Sequence, residues 1–572
     1  MAPRLSPQVR GPSAVDLVIV LGLVGLVYAL ARAASFATAP LATHVDIDLG
    51  PAALPGYALA SIVRMAAAYL LSIAFSLAYG RLTVSGPWAE RLLLPVLDIL
   101  QSIPILSFMP GVVLALVAVF PRSNVGLELA AIVLIFTSQA WNLAFSFYQS
   151  LRTIPPDLRE AAAIARLGSW QRFVKLELPF GTIGLVWNSM VSWAGGWFFL
   201  MAAEQFTLGD KDFRLPGLGS YLKTAADAGN LGALVLGLGA LVAIIVVLDQ
   251  LLWRPLVAWS EKFRFEQTES GEAATSPVLT ALRRSRLLEW LEEQAMPALA
   301  EAVERRVRPL RGHRGAPGAG GNPIPARGGQ VIVLLVLAAA GIWGLIAIEQ
   351  LLTGLSVDDW RILAPAAGAT LLRTFAALLL GTLWTVPLGV RVGLNPRLAR
   401  RAQPLVQMAA SIPATALFPV LLLLFLGIPG GLNVAAVALM LLGTQWYLLF
   451  NVIAGAQAIP SDLREAASIY HLSGWRRWRT LILPAIFPYL ITGLITATGG
   501  AWNASIVSEY VTFGNRTYQT VGLGALIADA ANGANYPRLA AGTLAMAALV
   551  LSINRFVWRR MYATAEQRYH LD

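Results

Sequence analysis

IPPDLREAAAIARLGSWQRFVKLELP, from Ile154 to Pro179, and IPSDLREAASIYHLSGWRRWRTLILP, from Ile459 to Pro484, are near-copies 305 positions apart in a strongly apolar chain. The same offset relates Trp141 to Trp446, Glu204 to Glu509, Gly217 to Gly522 and Trp253 to Trp558. Upstream the offset is 309, relating Arg64 to Arg373, Pro104 to Pro413 and Pro110 to Pro419, so one four-residue length difference lies near Pro121 or Gly431. Matches strung along two whole halves mark a duplicated domain. Both copies carry the segment on the same side, which makes a parallel repeat about an axis along the membrane normal.

The composition says which solvent these halves face. Of 572 residues, 57% are hydrophobic and 13% charged, with mean hydropathy +0.64; soluble domains carry about 25% charged residues. Apolar runs of roughly 20 residues, enough to cross about 30 Å of hydrocarbon, recur along the chain. They fall at 16–36, 57–80, 93–120, 126–149, 181–203 and 231–255, then at 329–352, 368–394, 404–427, 432–454, 485–507 and 538–557. The pattern predicts an all-α polytopic membrane protein of about twelve transmembrane helices in two tandem six-helix repeats. The first domain spans 1–256, a linker 257–328 and the second domain 329–572.

The net charge of +11 reports topology rather than a nucleic-acid partner. Arg4 and Arg10 precede the first run, Arg81 and Arg91 follow the second, and both repeated segments are rich in arginine. The stretch 37–55 carries His44, Asp46 and Asp48 with no Lys or Arg. This bias places both termini and both segments on the cytoplasmic side of a multi-pass membrane protein. The first run reads as an uncleaved helix rather than a signal peptide, being too long and followed by further spans. In the linker an amphipathic helix is expected over Leu279–Leu310, ahead of a Gly/Pro-rich tether. Zero cysteines exclude thiol and disulfide chemistry, and the four histidines show no metal-ligand spacing.

Within each repeated segment Pro155 or Pro460 stops the preceding helix. Asp157 or Asp462 then stands three residues before Glu160 or Glu465, a capping-box spacing that would start a new short helix. Small residues follow, Ala161–Ala163 in one copy and Ala466, Ala467 and Ser468 in the other, offering a face for close approach by another protein. Trp170 and Trp475 come ten residues after each Glu, and a proline returns the chain to the membrane. One copy alone would read as a capped loop. Two copies point to docking.

On these residues the chain resembles the permeases of importer-type ABC transporters, whose EAA loop docks a short coupling helix on a cytoplasmic ATPase. SIPxxxxxP at Ser102–Pro110 and Ser411–Pro419 fits the family, as do Gly195–Gly196, Gly499–Gly500, and GLG at Gly217–Gly219 and Gly522–Gly524. The detail is similar to the nitrate/sulfonate/taurine/bicarbonate subgroup. The resemblance implies ATPase coupling through Asp157, Arg159, Glu160, Ala161, Ala162, Gly168 and Trp170, and through Asp462, Arg464, Glu465, Ala466, Ala467, Gly474 and Trp475. It implies two cytoplasmic ABC ATPase subunits holding ATP and magnesium, an extracytoplasmic solute-binding protein, a bacterial inner-membrane location, and no cofactor in this chain. One departure stands out: the family's glycine six residues after the Glu is Arg166 here and His471 in the second copy.

GLGSYLKT at Gly217–Thr224 is not a phosphate-binding loop, because Leu222 stands where a glycine must precede the Lys. The chain therefore reads as a transport subunit rather than an enzyme. For the pathway of a small solute, Arg64 and Arg373 are candidates, since intramembrane guanidinium groups suit an anion; pairing within each half, for example with Asp98, is the alternative. Asn142, Trp197 and Trp502 are further pathway candidates. Glu204 and Glu509 are expected near the outer end, as interfacial charges or external contacts. The rival reading is an ion-gradient-driven secondary transporter with two six-helix halves. It leaves the paired EAA loops unexplained.

Overall fold

The computed structural model describes residues 14–41, 45–208, 211–263, 276–285, 342–514 and 516–568, with residues 289 and 339. The first half runs α1 (Ala14–Thr38), α2 (Leu54–Thr83), α3 (Pro87–Ser102), α4 (Ile105–Val119), α5 (Val125–Arg152), α6 (Pro156–Ile164) and α7 (Ser169–Arg172). It continues with α8 (Leu178–Glu204), a hairpin of β1 (Gln205–Leu208) and β2 (Lys211–Arg214), α9 (Leu218–Asp227), α10 (Leu231–Leu248) and α11 (Arg254–Ser260). A short α12 (Pro277–Leu282) belongs to the linker.

The second half repeats the series. It comprises α13 (Ile342–Leu352), α14 (Val357–Gly393), α15 (Pro396–Ser411), α16 (Ala414–Phe425), α17 (Gly431–Gln457), α18 (Ser461–Ile469) and α19 (Gly474–Arg477). Then follow α20 (Leu483–Ser508), the β3 (Tyr510–Phe513) and β4 (Arg516–Gln519) hairpin, α21 (Leu523–Asn532), α22 (Tyr536–Ile553) and α23 (Arg559–Arg568). Each half is thus built on three long helices, α2, α5 and α8 or α14, α17 and α20, packed side by side. An α-helix rises about 1.5 Å per residue, so α8 and α20 carry the chain from the repeated segments to the hairpins at the opposite end of the bundle.

Eight helices among the described residues are long and apolar enough to cross a membrane, or nine counting one bent pair. Eight or nine of the roughly twelve expected spans are thus seen, and the shortfall has physical causes. The runs 93–120 and 404–427 are broken, because Pro104 and Pro413 lack an N–H and hold Ile103 (φ −78°, ψ 122°) and Ile412 (φ −73°, ψ 119°) extended. In the second half the two pieces meet at 81°. α8 has the length, with 27 residues, but Thr182, Asn188, Ser189 and Ser192 dilute its apolarity. The run 329–352 is described only from residue 342.

The halves interlock around those breaks. The Ile105 N–H at the start of α4 donates to Asn503 Oδ1 on α20 (2.7 Å). At the matching place the Thr415 hydroxyl of α16 donates to the Phe198 carbonyl on α8 (3.0 Å). At the hairpin end the Gly514 N–H donates to the Ala226 carbonyl (3.1 Å). Gly126 at the start of α5 shows why glycine is needed where helices meet: a Cβ there would lie 2.7 Å from the Leu116 carbonyl.

One difference between the halves is a volume. In the first, Tyr57 and Tyr221 pack with ring centroids 6.2 Å apart, and the Tyr221 hydroxyl donates to the Leu49 carbonyl (2.9 Å). Their counterparts are Ala366 and Leu526, and a pocket of about 360 Å³ opens there beside Asp359 and Arg538. In the linker, α12 ends at Leu282, and the Ser285 hydroxyl donates to Asp16 Oδ1 at the start of α1 (2.6 Å). The helix expected over Leu279–Leu310 is therefore interrupted after Leu282; beyond Ser285 only Glu289 is described, and it is helical.

Candidate functional site

The two repeated segments form matched, outward-facing elements. α6 and α18 are nine-residue helices, and Glu160 and Glu465 are exposed on them. Neither carboxylate has a hydrogen bond or ion pair among the described residues. The expected capping box is corrected. Pro155 and Pro460 occupy the N-cap positions with no side-chain cap bond, so the Asp–Glu spacing falls inside the first turns. Asp157 and Asp462 there favour the helix dipole. Ala162 and Ala467 are buried. Ala161 is exposed and Ala466 partly so.

Beside them stand exposed apolar side chains, of which Trp475 was expected from the sequence and Ile164, Ile469 and Tyr470 were not. Ile164 is 83% exposed, Ile469 73%, Tyr470 78% and Trp475 70%. Ile164, Ile469 and Tyr470 lie at the downstream ends of α6 and α18, one turn beyond each Glu, and Trp475 stands in α19. The signal was available as an apolar residue following the Ala-Ala pair on an otherwise polar helix.

The departure at the family's glycine acquires a geometry. Arg166 has φ +49° and His471 φ +51°, the left-handed conformation that glycine adopts without cost. Each helix ends in a Schellman motif: Leu167 N–H donates to the Ala162 carbonyl (3.0 Å), and Leu472 N–H to Ala467 (2.8 Å). The turn is kept with the wrong residue type. Arg166→Gly and His471→Gly are expected to raise stability by about 0.5–1 kcal/mol each, read as a higher unfolding temperature in detergent.

The copies differ in how they are anchored. The Arg81 guanidinium, at the end of α2, donates to the Ser169 hydroxyl (2.8 Å) and carbonyl, pairs with Glu177 (3.2 Å) and lies 4.8 Å from the Phe173 ring centre. Trp170 packs on Phe173 and is 38% exposed. Burial pushes the Glu177 carboxyl up, opposed first by Arg81 and then by Arg172 and Arg159. The Arg159 guanidinium donates to the Leu151 carbonyl at the end of α5 (2.8 Å). Val390 stands at the place of Arg81 in the second half, and Trp475 there is correspondingly more exposed. Arg464 is partly buried, and Gly168 and Gly474 open α7 and α19, Gly474 with φ +52°.

At the hairpin end the intramembrane arginines are bound within their own halves. Arg64 holds Glu128 through Nε (2.6 Å) and Nη2 (2.8 Å), and Glu204 through Nη1 (2.7 Å). Glu204 is fully buried, accepting also from the Ser61 hydroxyl (2.7 Å) and the Gly219 N–H at the start of α9 (2.6 Å). A Cβ at Gly217 would lie 2.2 Å from the Glu204 carboxylate. The glycines of GLG therefore make room for a carboxylate of the chain itself, at a helix start where negative charge is favoured.

The second half repeats this latch. Arg373 pairs with Glu509 (2.7 Å), Thr370 donates to the same carboxylate (2.8 Å), Gly524 N–H donates to it (2.8 Å), and a Cβ at Gly522 would lie 2.1 Å from it. Asn433 replaces Glu128, accepting from Arg373 Nε (3.0 Å). The expectation of Glu204 and Glu509 as interfacial charges is thus corrected. Arg64 and Arg373 are brought to carboxylates rather than to each other, and the side chain of Asp98 lies outside the described residues. Of the other pathway candidates, Trp197 and Trp502 are buried in the core, and Asn142 donates to Ser192 Oγ (3.1 Å).

Comparison with known proteins agrees with this duplication. A family model described as "Binding-protein-dependent transport system inner membrane component" matches twice, over residues 71–252 and 381–568. The nitrate import permease protein NrtB of Leptolyngbya laminosa is 29% identical over 193 residues, 33% of this chain and 63% of that protein. The bicarbonate transport system permease protein CmpB of Synechococcus elongatus is 29% identical over 189 residues, 33% of this chain and 65% of that protein. A CmpB of Synechocystis is 30% identical over 142 residues, covering 25% and 48%. The chain spans less than two thirds of the length of these relatives.

Proposed function

Because this chain belongs to the family of binding-protein-dependent transport system inner membrane components, we propose that it carries the whole membrane pathway of one importer, with both permease halves fused. It is a multi-pass inner-membrane transport subunit of the nitrate/bicarbonate/sulfonate type. In our reading two cytoplasmic ATPases seat on α6 and α18, around Glu160 and Glu465, and a solute-binding protein delivers a small anion at the hairpin end. The observation that carries this is the pair of matched segments, each with an exposed carboxylate, unpaired among the described residues, beside an exposed Ile. Support for an anion comes from the names of the relatives and from the two broken helices. α4 and α16 start inside the bundle at the seam between halves, and helix starts favour negative charge. With the segments facing the ATPases, both termini are cytoplasmic. The boundaries 1–256, 257–328 and 329–572 divide the two halves and their tether.

Uptake into proteoliposomes holding the assembled transporter tests the reading. Labelled nitrate, bicarbonate and an alkanesulfonate would be offered in turn with the cognate binding protein. At least one should enter only with internal ATP, unaffected by ionophores that collapse ion gradients. Uptake that needs no ATP and stops with ionophores would establish the gradient-driven rival.

A further inference from the structure

Where α14 turns into α15, the second half carries a basic surface with no acid paired to it among the described residues. Arg391, Arg397 and Arg401 are exposed, and none of their guanidinium groups has a hydrogen bond or ion pair among the described residues. Arg397 and Arg401 stand one helical turn apart on the sixteen-residue α15, a like-charge spacing that destabilises a helix unless a counter-charge is present. Arg391 ends an exposed apolar stripe on α14 through Leu380, Leu383 and Leu388, and Leu405 on α15 is 64% exposed. The arginines therefore mark the edge of a lipid-facing belt. Their depth is fixed by Gly393, which packs against Ala456 and Gln457 at the end of α17, immediately before the segment around Glu465.

The first half carries only a reduced form of this surface, in Arg91, which is exposed on α3. In the same register Leu82, Trp88 and Leu92 stand where Arg391, Arg397 and Arg401 stand in the second. Leu82 is 55% and Trp88 41% exposed, an apolar and aromatic anchor suited to any bilayer interface. Glu90 on α3 is occupied by Tyr148 and Arg152.

We propose that the α14–α15 turn binds the phosphate groups of anionic phospholipids, and that the fused chain thereby holds an acidic lipid at its second half only. A guanidinium suits phosphate through paired, charge-assisted N–H donors. A basic cluster beside the apolar belt gains from a negatively charged leaflet. The position next to α18 puts the bound lipid beside the segment proposed to receive an ATPase, but the lipid assignment does not depend on that docking.

The test uses the full chain purified from mixed micelles with equimolar phosphatidylglycerol and phosphatidylcholine, with retained lipid counted by native mass spectrometry. Wild type should retain phosphatidylglycerol preferentially. Arg391→Gln with Arg397→Gln and Arg401→Gln should lower that preference about a hundredfold, whereas the three Arg→Lys changes should keep most of it and report an intact fold. Arg516→Gln, on the opposite hairpin, should change nothing. An unchanged preference in the triple Gln variant would overturn the proposal. So would displacement of the lipid by inorganic phosphate alone, which would assign the site to a free anion. Loss of ATPase binding with lipid preference intact would assign the surface to a protein and equally overturn it.

Discussion

Arg64→Met is expected to be among the most damaging single changes in the chain, costing about 3–5 kcal/mol. The substitution leaves Glu128 and Glu204 facing each other without a cation, in a site where Arg64 is 4% exposed and Glu204 not at all. Two buried carboxylates that have lost their shared partner cannot regain it from water. Arg373→Met should cost less, because one carboxylate rather than two is stranded and Asn433 is neutral. The check is the unfolding temperature in detergent with the amount of folded chain in the membrane. Adding Glu128→Gln and Glu204→Gln to Arg64→Met should restore part of the loss, since neutral groups tolerate burial better. Equal effects of Arg64→Met and Arg373→Met would contradict the latch as drawn.

Glu160→Arg with Glu465→Arg should abolish coupled uptake while leaving the permease folded. Both carboxylates are exposed and unpaired among the described residues, and surface changes of that kind alter stability by about 0.5 kcal/mol or less. If the segments dock as proposed, a charge reversal at the centre of each costs about 2 kcal/mol or more, roughly thirtyfold in affinity for each segment. The single variants should differ. The first segment is braced by Arg81 and the second is not, so the second presents more apolar surface, including Trp475 at 70% exposure. ATP-driven uptake and the unfolding temperature, measured on the same preparations, separate lost docking from lost folding.

Much of this architecture was legible in the sequence, and the failures have physical causes. The offsets of 305 and 309 gave the duplication, and the structure repeats every element from α1 to α11 in α13 to α23. Apolar runs found the long helices but could not see that Ile-Pro breaks a span, because hydropathy is blind to a missing N–H. Arg64, Arg373, Glu204, Glu509 and GLG were each noticed separately. Their union in one latch needed the third dimension, since Arg64 and Glu204 are 140 residues apart. The Asp–Glu spacing suggested a cap, yet the prolines had already taken the N-cap positions. Ala162 and Ala467 turned inward because a nine-residue helix must bury one side somewhere. Arg166 and His471 stand where the family has glycine, and the backbone keeps its left-handed residue there and accepts the strain.

The absence of cysteine from the chain permits a direct test of the docking assignment. Ile164→Cys and Ile469→Cys place single thiols on the outer ends of α6 and α18, each at a residue more than 70% exposed. Treatment of the assembled transporter with a short thiol-to-amine cross-linker should join each variant to an ATPase subunit, with the yield changing when ATP is bound. A cysteine at Gly514, on the opposite hairpin, should give no such product. If neither Ile164→Cys nor Ile469→Cys cross-links to the ATPase in a complex that still transports, the repeated segments are not where the motor engages.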